Sequence, residues 1–185
     1  LLYSHYDKLY AIDRNGTGLT EIATAPQGRH FRGCDWTAIG NKIVVETVGV
    51  LPYDSEIRLI DLGHPAKDSV VVGNLPGALQ SPSFSIDGKS ILYTYDVSGF
   101  ENQEGRQIDA QLFIYDSETK TTTSYSKEKA PGTNDLNPRF SPDGAHIIFE
   151  NSANDGSGVP SVWKVDLKDT KRKMLFNNGS TPDWQ

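Results

Sequence analysis

Apolar positions along this chain come in short runs, and the runs recur. Four of them end in aspartate: Leu9-Tyr-Ala-Ile-Asp13, Ile57-Arg-Leu-Ile-Asp61, Leu112-Phe-Ile-Tyr-Asp116 and Val162-Trp-Lys-Val-Asp166. The aspartates fall 48, 55 and 50 positions apart. A second ladder places an aromatic anchor ahead of a tight turn: Cys34-Asp-Trp36, Pro82-Ser-Phe84, Pro138-Arg-Phe140 and Pro182-Asp-Trp184, at intervals of 48, 56 and 44. Two ladders with one period mark an internal repeat.

Beyond the anchor the copies read Ser85-Ile-Asp-Gly-Lys-Ser-Ile91 and Ser141-Pro-Asp-Gly-Ala-His-Ile147, with a degenerate first copy, Thr37-Ala-Ile-Gly-Asn-Lys-Ile43. Asp-Gly is turn chemistry: the carboxylate accepts nearby backbone amides, and glycine tolerates the positive φ of a tight hairpin. The next runs, Ile91 to Tyr95 and Ile147 to Glu150, are β-branched and aromatic, as strands are. A further short strand follows each Asp-ended one, at Leu19 to Ile22, Val70 to Val72 and Lys173 to Phe176. No apolar 3.6-residue period lasts three turns, so few helices are expected. The fold class is all-β, with four short strands in each unit.

Four antiparallel strands per ~40–50 residues is the size of a β-propeller blade. Asn137 to Phe149, followed by Val162 to Asp166, closely resembles the WD40-like (PD40) repeat of TolB-type propellers. Ser81 to Tyr93 with Leu112 to Asp116 is a second good copy, and the other two are partial. The resemblance implies a single propeller domain over residues 1–185, in a periplasmic or secreted protein of the bacterial envelope that binds protein partners. It also admits the propeller parts of prolyl-oligopeptidase-like peptidases and of some polysaccharide lyases. The chain opens inside a unit, at Leu1-Leu-Tyr3, and stops just after the anchor Thr181-Pro-Asp-Trp184. Two closures fit those ends. Either the last anchor strand completes the first unit as a composite blade, closing a ring of four, or the chain is a slice of a larger ring.

Charge and composition narrow the partners. Eighteen Lys+Arg stand against 24 Asp+Glu, a net charge of -6, and no basic cluster offers a nucleic-acid footprint. No run approaches the ~20 apolar residues of a membrane-spanning helix. The lone cysteine, Cys34, excludes an intramolecular disulfide and any Cys-rich zinc site, and suits a small buried apolar role.

A catalytic constellation is not legible. Asp155-Gly-Ser-Gly158 lacks the spacing of a serine-hydrolase elbow, and no Gly-rich phosphate loop occurs. His5, His30, His64 and His146 sit in four separate contexts, with no i, i+4 pair for a metal. Asn151 to Gly158 is oxygen-rich like a calcium loop, but Ala153 and Val162 occupy ligand places. Asp13, Asp61, Asp116 and Asp166 read as turn caps, and Trp36, Phe84, Phe140 and Trp184 as packing between blades. No cofactor, metal or enzymatic activity is therefore expected.

Binding is expected instead on the face that carries the longer connections: 26–33, 47–56, 74–81, 97–111, 127–137, 151–161 and 177–181. The insertion 97–111 lengthens one repeat, and it holds an aromatic with mixed charges. Phe100 and Arg106, with Tyr53 and His30 from neighbouring loops, are the candidate partner-binding residues, because decorated loops on rigid scaffolds carry recognition. A small ligand in the central channel is the competing expectation.

Overall fold

Among the described residues the recurring runs become fifteen strands. The computed structural model describes residues 1–37, 39–51, 53–64, 68–98 and 108–184. The first sheet is β1 (Leu2–His5), β2 (Lys8–Ala11) and β3 (Thr20–Thr24). The second is β4 (His30–Thr37), β5 (Lys42–Val48), β6 (Ser55–Asp61) and β7 (Ser69–Val72). The third is β8 (Leu79–Phe84), β9 (Ser90–Asp96), β10 (Ala110–Asp116) and β11 (Thr122–Ser124). The fourth is β12 (Thr133–Phe140), β13 (His146–Ala153), β14 (Ser161–Asp166) and β15 (Arg172–Phe176). Within each sheet every strand pairs antiparallel with its neighbour in sequence.

The second strand of each full sheet is buried on both faces, which is why it reads as an unbroken apolar triplet. Ile43 and Val45 of β5 pack with Leu9 and Phe31 in the seam between the first two sheets. Val44 turns the other way, joining Ile57, Ile91, Tyr93 and Phe84 between the second and third. Leu92 repeats the device, meeting Leu112, Ile147, Phe149 and Val165 between the third and fourth. Period-2 alternation thus builds three successive seams from one side-chain pattern.

The composite blade does not form. Residues 181–184 are not a strand and pair with none of β1 to β3, so the first sheet has three strands and the sheets make an open arc. The tail is held at the fourth sheet instead: the Gly179 amide donates to the Pro160 carbonyl at 3.0 Å, and the Thr181 amide to Glu150 Oε2 at 3.0 Å.

The innermost strands share one irregularity. Their register with the next strand slips at Phe31/Cys34, Gln80/Ser83 and Leu136/Arg139, leaving a bulge at Arg32-Gly33, Ser81-Pro82 and Asn137-Pro138. Ser81, Asn137 and Thr181, each preceding a proline, have φ of 54°, 51° and 46°. A non-glycine residue held there costs conformational energy, and bulges re-aim side chains out of the ladder. Here the bulges reach across seams.

Candidate functional site

Connections emerge alternately at two ends of the sheets. One end carries the short turns, at which Asp87 Oδ1 accepts the Lys89 amide and Asp143 Oδ1 the Ala145 amide, at 3.1 and 2.9 Å. The other end carries the longer loops, the β5–β6 connection among them. There Arg29 acts as a brace. Its guanidinium donates to the Asp54 carboxylate at 2.8 Å, the Asp54 carbonyl at 2.9 Å and the Thr47 carbonyl at 3.2 Å. The Gly49 amide donates to the Asp54 carbonyl and the Asp54 amide to the Leu51 carbonyl, closing the hairpin on itself. Val50 at its tip is 91% exposed and Leu51 is 45% exposed. Two aliphatic side chains are thus held in water by a charged clamp, where a polar turn residue would serve the fold equally well.

Two of the four sequence-expected residues lie on these elements. His30 opens β4 opposite Val48 and is half-buried, as is Tyr53 within the hairpin. Phe100 and Arg106 lie outside the described residues. Val50 and Leu51 fall inside the expected loop 47–56 but were not singled out. Their signal was available: two consecutive aliphatics just outside a strand whose apolar face is already complete.

Along the seams runs a second polar row. Glu46 and Glu150 follow the apolar triplets of β5 and β13 and are almost fully buried. Glu150 Oε2 accepts from Asn137 Nδ2 at 3.3 Å and from the Thr181 amide. Glu46 Oε2 accepts the Ser81 amide at 3.4 Å, while its Oε1 has no hydrogen-bond partner among the described residues. Arg32 Nη1 stands 3.8 Å from that oxygen. Burial is the leading cause that pushes the Glu46 carboxyl up to about 7, against the pull of Arg32 and the Ser81 amide. Glu46 thus ties the second sheet to the third, and Glu150 ties the tail to the fourth.

The turn aspartates resolve as scaffold at three of their four places, while the Asp13 carboxylate accepts the Thr17 hydroxyl at 3.5 Å. Asp61 accepts the Gly63 amide, Asp116 those of Glu118 and Thr119, and Asp166 those of Lys168 and Asp169, all within 2.7–3.2 Å. Cys34 packs against the first seam, and burial drives its thiol up to about 11. Phe84 is buried as expected of an inter-sheet anchor, whereas Trp36, at the same repeat position, is 48% exposed. Ile39 and Ile86 beside it on the turn end are themselves exposed and leave about half of the indole open. Among the described residues no three His, Cys, Asp or Glu side chains gather as metal ligands would.

No protein-family model matches the chain. Among solved structures, TolB from Acinetobacter baumannii is similar over 97% of this chain and 42% of its own, with a TM-score of 0.69 and 23% identity. A chain of the nidogen–laminin complex is similar over 94% of this one and 59% of its own, at TM-score 0.68 and 10% identity. An oligogalacturonate lyase in complex with manganese follows, over 91% and 50%, at TM-score 0.63 and 14% identity. The chain therefore spans between 42% and 59% of these structures' lengths. The likeness defines the fold, a β-propeller arrangement of radial antiparallel sheets. Within that class its build is TolB-like.

Proposed function

We propose that the chain is a non-enzymatic propeller module that binds a protein partner outside the cytoplasm, in the periplasm or the extracellular space. One observation carries the binding claim: the Arg29-braced hairpin that holds Val50 and Leu51 in solvent. A rigid loop loses little entropy on docking, and an apolar tip gains from leaving water. His30 and Tyr53 belong to the same connections, and Phe100 with Arg106 are taken as further partner-binding residues. A similar chain occurs in a protein–protein complex, that of nidogen and laminin, which supports an interaction role for this architecture. The repeat resemblance supports the compartment.

The test starts from affinity capture with the intact chain. Val50→Asp combined with Leu51→Asp should weaken the captured partner at least about tenfold, the scale of a lost hot spot, with no change in melting temperature. Phe100→Ala with Arg106→Ala should weaken it too. Unchanged affinity in both double variants would refute the loop-end assignment. A second reading has one feature in its favour: a pocket of about 150 Å³ lined by Asn137, Arg139, Thr181, Pro182 and Asp183, whose mixed charge suits a small polar ligand. A compound that raises the melting temperature of the chain but not of Arg139→Ala would favour it. The likeness to a lyase would gain weight only from turnover of an oligogalacturonate by this chain.

A further inference from the structure

The turn-bearing end has a different chemistry. A groove of about 410 Å³ opens there between the second and third sheets, beside Trp36, Ile39 and Phe84, with Asp35 in its wall. A second groove, about 360 Å³, opens between the third and fourth sheets. Its floor is Ile114, Tyr125, Phe140 and Leu167, which lie half-buried on the third seam. Asp87 and Asp116 stand at its rim, with Thr123 of the edge strand β11. Ser85 and Ile86 line both grooves, so Ile86, 65% exposed, is the ridge between them.

Charge selects the occupant. Among the described residues neither groove is lined by a lysine or arginine. The Ser85 hydroxyl and the Lys89 amide hold the Asp87 carboxyl below its ordinary range, and the Thr119 amide does the same for Asp116. Both are therefore ionised at neutral pH above an apolar floor. An aliphatic stem with a cationic end matches that layering, since lysine and arginine bury their methylenes and keep the charge at a rim. Lys89, paired with Glu118, is the cation nearest the two carboxylates; Asp87, Asp116 and Glu118 outnumber it, so an anionic occupant would meet net repulsion. Trp36 and Ile39, 48% and 55% exposed one groove away, ask for an apolar side chain.

We propose that this end docks an extended peptide segment of a protein partner, which sets an apolar side chain against Trp36 and, across the Ile86 ridge, a lysine or arginine into the groove between the third and fourth sheets. The surface is separate from the Val50 hairpin, on the opposite end of the sheets, so the two assignments stand or fall apart.

The probe is a phage-displayed library of random linear heptapeptides selected on the folded 185-residue chain. Selection should return peptides that pair an apolar residue with lysine or arginine. In fluorescence anisotropy, replacing arginine by citrulline or lysine by acetyl-lysine should weaken a selected peptide about tenfold, as loss of a charged contact does. Thr123→Arg, which puts a cation into the groove from this chain, and Ile86→Asp should each weaken it by about the same factor. Val50→Asp should leave it unchanged. Thr123 and Ile86 are exposed, so melting should not move; if Thr123→Arg does unfold the chain, Ile86→Asp decides alone. No selected peptide, selected peptides without a basic residue, or affinities indifferent to these changes would overturn the proposal.

Discussion

Glu46 shows how one residue can set the pH response of a seam. It lies on the Val44 side of β5, 4% exposed, with one oxygen unpaired among the described residues. Its repeat-mate Glu150 is served by Asn137, but the equivalent place in the second sheet is Gly33, which has no side chain to donate. The folded chain therefore binds the Glu46 proton more tightly than the unfolded chain does: about 7 against an ordinary 4.5. Between those values the folded state carries more protons, so stability should fall as pH rises through that window. Relative to Glu46→Gln, the native chain should lose on the order of 2–3 kcal/mol from pH 5 to pH 8 in denaturant titrations. Parallel pH profiles for the two proteins would show that the carboxyl is neutralised or hydrated differently. In the sequence, a lone glutamate after an apolar triplet carries no mark of burial. Only the alignment of Ile43-Val-Val-Glu46 with Ile147-Ile-Phe-Glu150 hints at it, and the missing donor is a property of packing.

Strands and hairpins were readable because their causes are local. Alternation fixed the faces, and Asp-Gly fixed the turns: Gly88 and Gly144 both have φ of +68°. Their surroundings differ in a way no local pattern records. A β-carbon at Gly88 would lie 3.2 Å from Thr37 Oγ1 and 3.3 Å from Ile39 Cβ in the neighbouring sheet's turn, whereas at Gly144 the nearest atom is Ile86 Cγ2 at 3.5 Å. Each Gly→Ala should cost about 1–2 kcal/mol for the left-handed backbone, with the larger loss at Gly88, measured by urea unfolding. Equal losses would mean that the turns of adjacent sheets do not press on each other. Trp36 was misread for the same reason. The repeat places the anchor in its strand, but cover depends on what the next sheet sets opposite, and there Ile39 and Ile86 are exposed themselves.

At the scale of the molecule, each sheet packs on the next in chain order and the scaffold repeats its own bonds: Glu46 Oε2 accepts the Ser81 amide across one seam, as Glu150 Oε2 accepts the Thr181 amide at the arc's end. The unit count and the all-β class were legible because a period is a global signal made of local ones. Closure was not, since it depends on pairing between residues nearly the whole chain apart, and the tail satisfies its amides on the fourth sheet instead. The loop end was legible as a region and not as a site: length variation pointed to the insertion, while the clamp on Asp54 beside the exposed aliphatics rests on Arg29, some twenty residues upstream of Val50. A stiff array of sheets carrying a pre-formed apolar hairpin is the core of this account. Hydrogen–deuterium exchange of the chain, alone and with the partner captured by it, tests that directly. Partner binding should slow exchange in peptides covering 26–33 and 47–56, whether or not the turns at 85–90 and 141–146 slow with them. Slowing confined to those turns or to the outer strands, with 47–56 untouched, would contradict it.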